Sequence, residues 1–237
     1  MPDHDAIYKS EAETYDLLIS KQPSLYDVIE SIQPVEGLDI LDLGAGSGRL
    51  TRVLAPKAKS ILAIDASEAM LQVTADKLQE AGLLNWATRV ADHRDLPVLD
   101  NSYDLIVSGW SICYLGSSGD PNWKENIHQV MAEIKRVLRP GGSAIIFENF
   151  GTGSTVPSPP SFLRAYFDLL EKEYGMSHTW IRTDYQFDSL EEAERLSRFF
   201  FGDDLAQQVI REGWIQLPEC AGVWWLRFPP TSRIPRF

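Results

Sequence analysis

The run Asp39-Ile40-Leu41-Asp42-Leu43-Gly44-Ala45-Gly46-Ser47-Gly48-Arg49-Leu50 restricts this chain more than any other stretch. An apolar segment ends in three glycines spaced two apart, and Leu50, Val53 and Leu54 follow at helical spacing. That order predicts a buried strand, a tight turn and a helix, the unit with which an α/β protein brings bare backbone up to a ligand. Glycine has no Cβ, so such a turn takes positive φ and leaves its amides open to close approach. The helix start adds unpaired N–H donors and a partial positive charge. The spacing differs from two other phosphate-binding turns. A G-x-G-x-x-G dinucleotide turn needs glycine where Arg49 stands, and the Lys-Ser/Thr ending of a P-loop is absent.

Composition narrows the partners. The 237 residues are enough for a full core in one α/β domain. With 22 Lys and Arg against 34 Asp and Glu, the net charge of −12 disfavours nucleic acid and anionic membranes. Cys113 and Cys220 make neither a disulfide framework nor a metal set, and no Asp/Glu/His group has metal-ligand spacing. The polar, acidic start does not read as a signal peptide, and no apolar run has membrane-spanning length. A reducing cytoplasm is the expected location.

Two amphipathic stretches, Tyr8–Ile19 and Tyr26–Ile32, precede the first strand. After the glycine turn, Ser60–Asp65 reads as a buried parallel strand ending in an acid. In a doubly wound sheet this end lies beside the first turn, where a carboxylate can accept from both hydroxyls of a ribose. Ser67 is positioned to cap the following helix. Strands are expected at Ala87–Ala91, Tyr103–Ser108 and Ser143–Glu148, with a helix over Trp123–Leu138. Beyond lie a Gly/Ser/Thr/Pro-rich loop from Gly151 to Pro160, a helix over Phe162–Tyr174 and a strand over Thr179–Phe187. Helices are predicted over Ser189–Phe201, where Ser189 and Glu192 form a capping box, and over Asp203–Glu212. A strand at Gly222–Phe228 and a short basic tail close the chain.

Asp42-x-Gly44-x-Gly46-x-Gly48, with Arg136-Val137-Leu138-Arg139-Pro140-Gly141-Gly142, resembles the class I S-adenosylmethionine-dependent methyltransferases of the ubiquinone/menaquinone-biosynthesis-like, small-molecule branch. The resemblance runs from Asp39 to Asn149. It implies an α/β, Rossmann-like, seven-stranded mixed sheet with helices on both faces and an antiparallel last strand. One domain would cover residues 1–237, with residues 1–34 as a helical lid and 150–178 as a substrate cover. It implies S-adenosylmethionine as cofactor, S-adenosylhomocysteine as product and a small molecule as acceptor; the lack of metal-ligand spacing adds the expectation of no metal.

By the same resemblance Gly44, Ala45, Gly46 and Gly48 cradle the cofactor, and Asp42 holds its methionine amino group directly or through water. Asp65 takes the ribose, Asp92 the adenine amine, and Met70 and His93 the ring, with Ala66 and Ser108 also among the cofactor-binding residues. Tyr15 and Trp110 stand at the methionine and methyl end, where Trp110 and Tyr114 could wall the sulfonium by cation–π attraction. The general-base candidates are His178, Tyr8 and Glu148. Phe162, Tyr166, His178, Trp180 and Tyr185 are candidates for the cover. The segment after Ser108 lacks the Asn/Asp-Pro-Pro-Tyr/Phe element of DNA and glutamine N-methyltransferases, which argues against that chemistry. Two alternatives stay open: a non-catalytic S-adenosylmethionine-binding protein and an NAD-dependent oxidoreductase. The acceptor and the oligomeric state are not fixed by the sequence.

Overall fold

The computed structural model describes residues 2–229; the expected basic tail lies outside the described residues. In chain order the elements are α1 (His4–Ser10), α2 (Ala12–Ser20), α3 (Tyr26–Ile32), β1 (Asp39–Leu43), α4 (Arg49–Leu54), β2 (Ser60–Asp65), α5 (Glu68–Glu80) and β3 (Trp86–Val90). Then come β4 (Tyr103–Gly109), α6 (Trp123–Val137), β5 (Leu138–Thr152), α7 (Arg164–Lys172), β6 (Ser177–Arg182) and β7 (Tyr185–Gln186). The chain continues through α8 (Leu190–Phe201), α9 (Asp203–Glu212), β8 (Gln216–Leu217) and β9 (Glu219–Arg227).

Seven strands form one sheet in the order β3-β2-β1-β4-β5-β9-β6. The chain leaves β1 toward β2 and β3, then crosses back to β4 on the other side of β1. That reversal opens a crevice at the carboxyl ends of β1 and β4, the usual ligand position in an open α/β sheet. β9 runs antiparallel to both neighbours, pairing Glu148 with Gly222 and Trp180 with Gly222. This is the mixed seven-stranded sheet that the sequence predicts.

Alternation along the strands assigns the layers. Leu41, Leu62, Ile106 and Ile146 share one face and bury against α6 and α7 through Ile127, Val130, Ile134, Phe167 and Leu170. Ile40, Ile61, Leu105 and Ile145 point the other way, onto Ile29 of α3, Leu50 and Leu54 of α4, and Leu78 of α5. At the amino edge, Arg139 reaches Asp39 at 2.8 Å and Asp104 at 2.7 Å, and Lys59 reaches Asp39 at 2.9 Å. Chiefly through the hydrogen bond from Lys59, the Asp39 carboxyl is held down at about 2.

Two local expectations change. The strand expected over Thr179–Phe187 is broken, because Asp184 accepts from Arg182, from the Glu219 amide and from Gln216 Nε2. Tyr185 and Gln186 are thereby handed to a separate ribbon with β8. Ser189 caps α8, its Oγ accepting from the Glu192 amide at 3.1 Å, but Glu192 Oε2 accepts from Asp188 N rather than from Ser189. The ribbon packs with α8, α9 and Leu18 of α2 around Tyr185, Phe187, Leu196, Val209 and Leu217. This third apolar cluster stands over the carboxyl edge of the sheet.

Candidate active site

The glycine turn is shaped by steric contact beneath it. Gly44, Gly46 and Gly48 have φ of +75°, +55° and +86°. A Cβ on Gly44 would come within 1.7 Å of Ser111 Oγ, which shares a 2.5 Å hydrogen bond with buried His93 Nε2. A Cβ on Gly48 would meet Thr74 of α5 at 3.0 Å, so this glycine brings two helices together. A Cβ on Gly46 would meet nothing within 4 Å, and Gly46 lines the cleft. Only this last glycine presents bare backbone to a ligand with open space above it.

Asp65, at the end of β2, accepts from Gly46 N at 2.9 Å and from Ser67 N at 2.8 Å. A carboxylate offers about four lone-pair sites, so acceptor capacity toward the cleft remains. Ser67 caps α5 and donates its hydroxyl to Tyr8 O at 2.8 Å, tying α1 to the rim. Beneath the turn, Asp42 is buried and accepts from Thr51 Oγ1 at 2.5 Å; its other oxygen has no partner. Burial pushes its carboxyl up to about 7.

Two joined cavities follow the carboxyl edge. The smaller, about 240 Å³, is bounded by Gly44, Gly46, Asp65, Ala66, Met70, Asp92 and His93 among others. The larger, about 490 Å³, runs past Arg49 to Tyr185, Phe200, Phe201 and Glu219. Tyr8, Tyr15, Trp110 and Tyr114 border both. Trp110 has φ +52°, a conformation side chains seldom adopt, with its amide donating to Phe147 O at 2.7 Å. The Arg49 guanidinium lies 4.1 Å from the centroid of the Trp110 ring. Tyr8 and Tyr114 meet hydroxyl to hydroxyl at 2.5 Å across the mouth, joining α1 to the segment after β4.

The residues singled out from the sequence therefore divide. Gly44, Gly46, Asp65, Ala66, Met70, Asp92, His93, Tyr8, Tyr15 and Trp110 border the smaller cavity, although both Asp92 oxygens already accept from Arg94. Ala45 borders the larger one. Asp42, Gly48 and Ser108 border neither. Ser108 is buried in β4, and Gly48 is committed to Thr74.

Of the base candidates, Tyr8 alone borders the cleft. Glu148 is buried and accepts from Cys113 N at 3.0 Å and Tyr166 Oη at 3.2 Å, so it holds the loop after β4. Burial raises its carboxyl to about 7. His178 stacks on Trp224 with ring centroids 4.5 Å apart, away from both cavities. In the expected cover, Phe162 and Tyr185 border the larger cavity, Tyr166 is locked under Gly116, and Trp180 faces outward.

Arg49, Glu219, Phe200 and Phe201 also border the larger cavity and were not singled out from the sequence. Arg49 had a local signal, as the first residue after the glycine turn. The others come from remote segments whose convergence depends on the β5–β9 pairing and the packing of α8.

The residues fit S-adenosylmethionine: backbone without a side chain at Gly46, a carboxylate for a ribose diol, and Met70 in the same small cavity. Residues 41–146 match the family model described as a methyltransferase domain. The chain is 28% identical over 186 residues to a malonyl-[acyl-carrier protein] O-methyltransferase of Marinomonas, covering 77% of this chain and 62% of that protein. It is 33% identical over 147 residues to a demethylmenaquinone methyltransferase of Clavibacter sepedonicus, covering 62% of this chain and 53% of that one. These matches thus span between about half and three-fifths of the relatives' lengths. The fold matches the crystal structure of the YcgJ protein of Bacillus subtilis with a TM-score of 0.59 at 15% identity, covering 88% of this chain and 99% of that one. Among the described residues no helix is long and apolar enough to cross a membrane. Glycine turn, strand order and matched segment agree: residues 41–146 are similar to a methyltransferase domain, and the chain has the fold of the class I S-adenosylmethionine-dependent methyltransferases.

Proposed function

We propose that the protein transfers the methyl group of S-adenosylmethionine to an O, N, C or S atom of a small molecule held in the larger cavity. The observation that carries this reading is the joined pair of cavities sharing Trp110, Tyr8, Tyr15 and Tyr114. The larger cavity, about 490 Å³, runs from the glycine turn past the aromatic junction to Tyr185, Phe200 and Glu219, which a protein that only bound the cofactor would not need. The bound cofactor supplies an electrophilic sulfonium methyl. The chain supplies alignment and exclusion of water.

In this reading Gly46 leaves room for the cofactor to approach the backbone, Asp65 accepts from the ribose, and Met70 and His93 flank the adenine. Tyr15 and Trp110 offer π faces at the junction, where a cationic sulfur is favoured. α1 and α2 act as the lid, tied down by the Ser67–Tyr8 and Tyr8–Tyr114 contacts. The cover is built by α8, the β7–β8 ribbon and the Pro160–Leu163 turn. Tyr8 borders the cleft, but burial pushes its hydroxyl up from its ordinary value, so it stands there protonated, as a hydrogen-bonding group rather than a base.

Calorimetric titration with S-adenosylmethionine and S-adenosylhomocysteine tests the cofactor half. Wild type should bind both, and Asp65→Ala should lose about a hundredfold or more, as expected for losing hydrogen bonds to a charged acceptor. Heat from NADH and none from either S-adenosyl compound would sink the proposal.

A further inference from the structure

We propose that the acceptor is a small-molecule acid whose anionic oxygen sits against the Arg49 guanidinium, with its apolar body among Tyr15, Tyr185, Phe200 and Phe201. This rests on the methyltransferase reading above and adds the substrate class.

Arg49 is the first residue of α4, and its side chain turns into the larger cavity. The Trp110 ring stacks under the guanidinium, and stacking occupies a face while leaving the N–H donors free in the plane. Nη2 is buried and has no hydrogen-bond partner. No described carboxylate comes within 4.0 Å of the group, whereas other arginines around the fold, such as Arg136, Arg139 and Arg198, are paired. Glu219 acts on the guanidinium only from beyond salt-bridge distance; a desolvated cation without a contacting counter-ion is costly, and a ligand anion is the economical partner.

Glu219 supports the same sign. It begins β9, in register with Thr152 across β5, and borders the larger cavity with Oε2 buried and unpartnered. Burial pushes its carboxyl up to about 8, so near neutrality it is protonated and can donate a hydrogen bond to an oxyanion. Arg49 then gives the larger cavity its charge. A cationic acceptor would meet a like charge here. With a net charge of −12, the overall field does not attract anions, so selection for an acid depends on this local pair. Arg49 borders the larger cavity and not the smaller one containing Asp65 and Met70; the turn residues Gly44, Ala45 and Gly46 border the larger cavity too, and it is the company of Tyr185, Phe200, Phe201 and Glu219, which border that cavity alone, that favours the acceptor as its partner over the cofactor.

The test uses the whole protein saturated with S-adenosylhomocysteine, titrated with phenylacetate, 4-hydroxybenzoate and octanoate, each beside its neutral primary amide. At least one acid should bind wild type about tenfold or more tightly than its amide, as expected for a charge-assisted, desolvated pair. Arg49→Gln should cut that preference below about threefold and leave S-adenosylhomocysteine affinity within about threefold; Arg49→Lys should retain part of it. Thermal melts establish that each variant is folded. No acid preferred over its amide by wild type would overturn the inference. So would Arg49→Gln weakening S-adenosylhomocysteine about tenfold with the acid preference intact, which would put the cofactor's own carboxylate at Arg49. Failure of wild type to bind S-adenosylhomocysteine would sink the methyltransferase reading first and this one with it.

Discussion

Alanine at Gly44 and at Gly46 should separate the two functions of the glycine turn, framework and cradle. Both positions have positive φ, +75° and +55°, so either alanine costs roughly 1–2 kcal/mol in the left-handed region. At Gly44 the new methyl also collides with Ser111, 1.7 Å from Oγ and 2.3 Å from Cβ, adding about 1–3 kcal/mol of overpacking. At Gly46 it meets nothing within 4 Å. For a domain of this size each kcal/mol lowers Tm by about 2–4 °C, so Gly44→Ala should fall by roughly 4–20 °C and Gly46→Ala by roughly 2–8 °C. Binding should rank them the other way. The Gly46 methyl stands in the cleft and should weaken S-adenosylhomocysteine by about tenfold or more, some 1.4 kcal/mol, per folded molecule. Gly44→Ala/Ser111→Gly removes the two shortest contacts, leaving His93 Nε2 at 3.0 Å, and should recover most of the overpacking loss. Melting curves and calorimetry on the three variants decide it. Equal Tm losses for the single variants, or no recovery in the double, would refute the packing argument; unchanged affinity in Gly46→Ala would refute the cradle.

Other expectations follow from the buried carboxyls and the aromatic stack. Glu148→Ala orphans the Cys113 amide and the Tyr166 hydroxyl and should cost about 2–5 kcal/mol, whereas Glu148→Gln keeps an acceptor and should recover most of it in a denaturant titration. The Glu219 carboxyl rises from its ordinary 4.5 to about 8 on folding, so the folded state holds a proton that the unfolded chain has released. Stability from this group is fully present below pH about 4.5 and is lost as pH rises toward about 8. Glu219→Gln should therefore flatten the ligand-free stability curve across that window, and an unchanged slope would contradict the assignment. His178→Ala removes the stack on Trp224 and should lower Tm while leaving S-adenosylhomocysteine affinity within about threefold, because the ring lies off both cavities. A large loss of affinity would mean His178 reaches the site after all.

Much of the frame was legible because it is locally encoded. Short apolar runs, buried almost throughout, mark β1, β2 and β4, the Ser67 cap marks the start of α5, and the glycine spacing marks the turn after β1, since each depends on neighbours within a few residues. The same local logic brought Gly46, Asp65 and Met70 to attention, because a doubly wound sheet leaves little choice about where the ends of its first two strands meet. Roles within that set were not local. Sequence spacing treats Gly44, Gly46 and Gly48 alike, yet Ser111 fills the space over Gly44, Thr74 fills that over Gly48, and only Gly46 is left bare.

The acceptor side depended on tertiary structure throughout. The break at Asp184 sent Tyr185 out of the main sheet, and insertion of β9 beside β5 carried Glu219 to the carboxyl edge. Packing of α8 delivered Phe200 and Phe201 to the cavity that Arg49 enters from α4. His178 and Glu148, by contrast, were drawn into stacking and loop support. A polar side chain's chemistry is set by what removes it from water and what it can still reach. For Arg49 and Glu219 those neighbours lie far away in the chain, so only the closed fold assigns them.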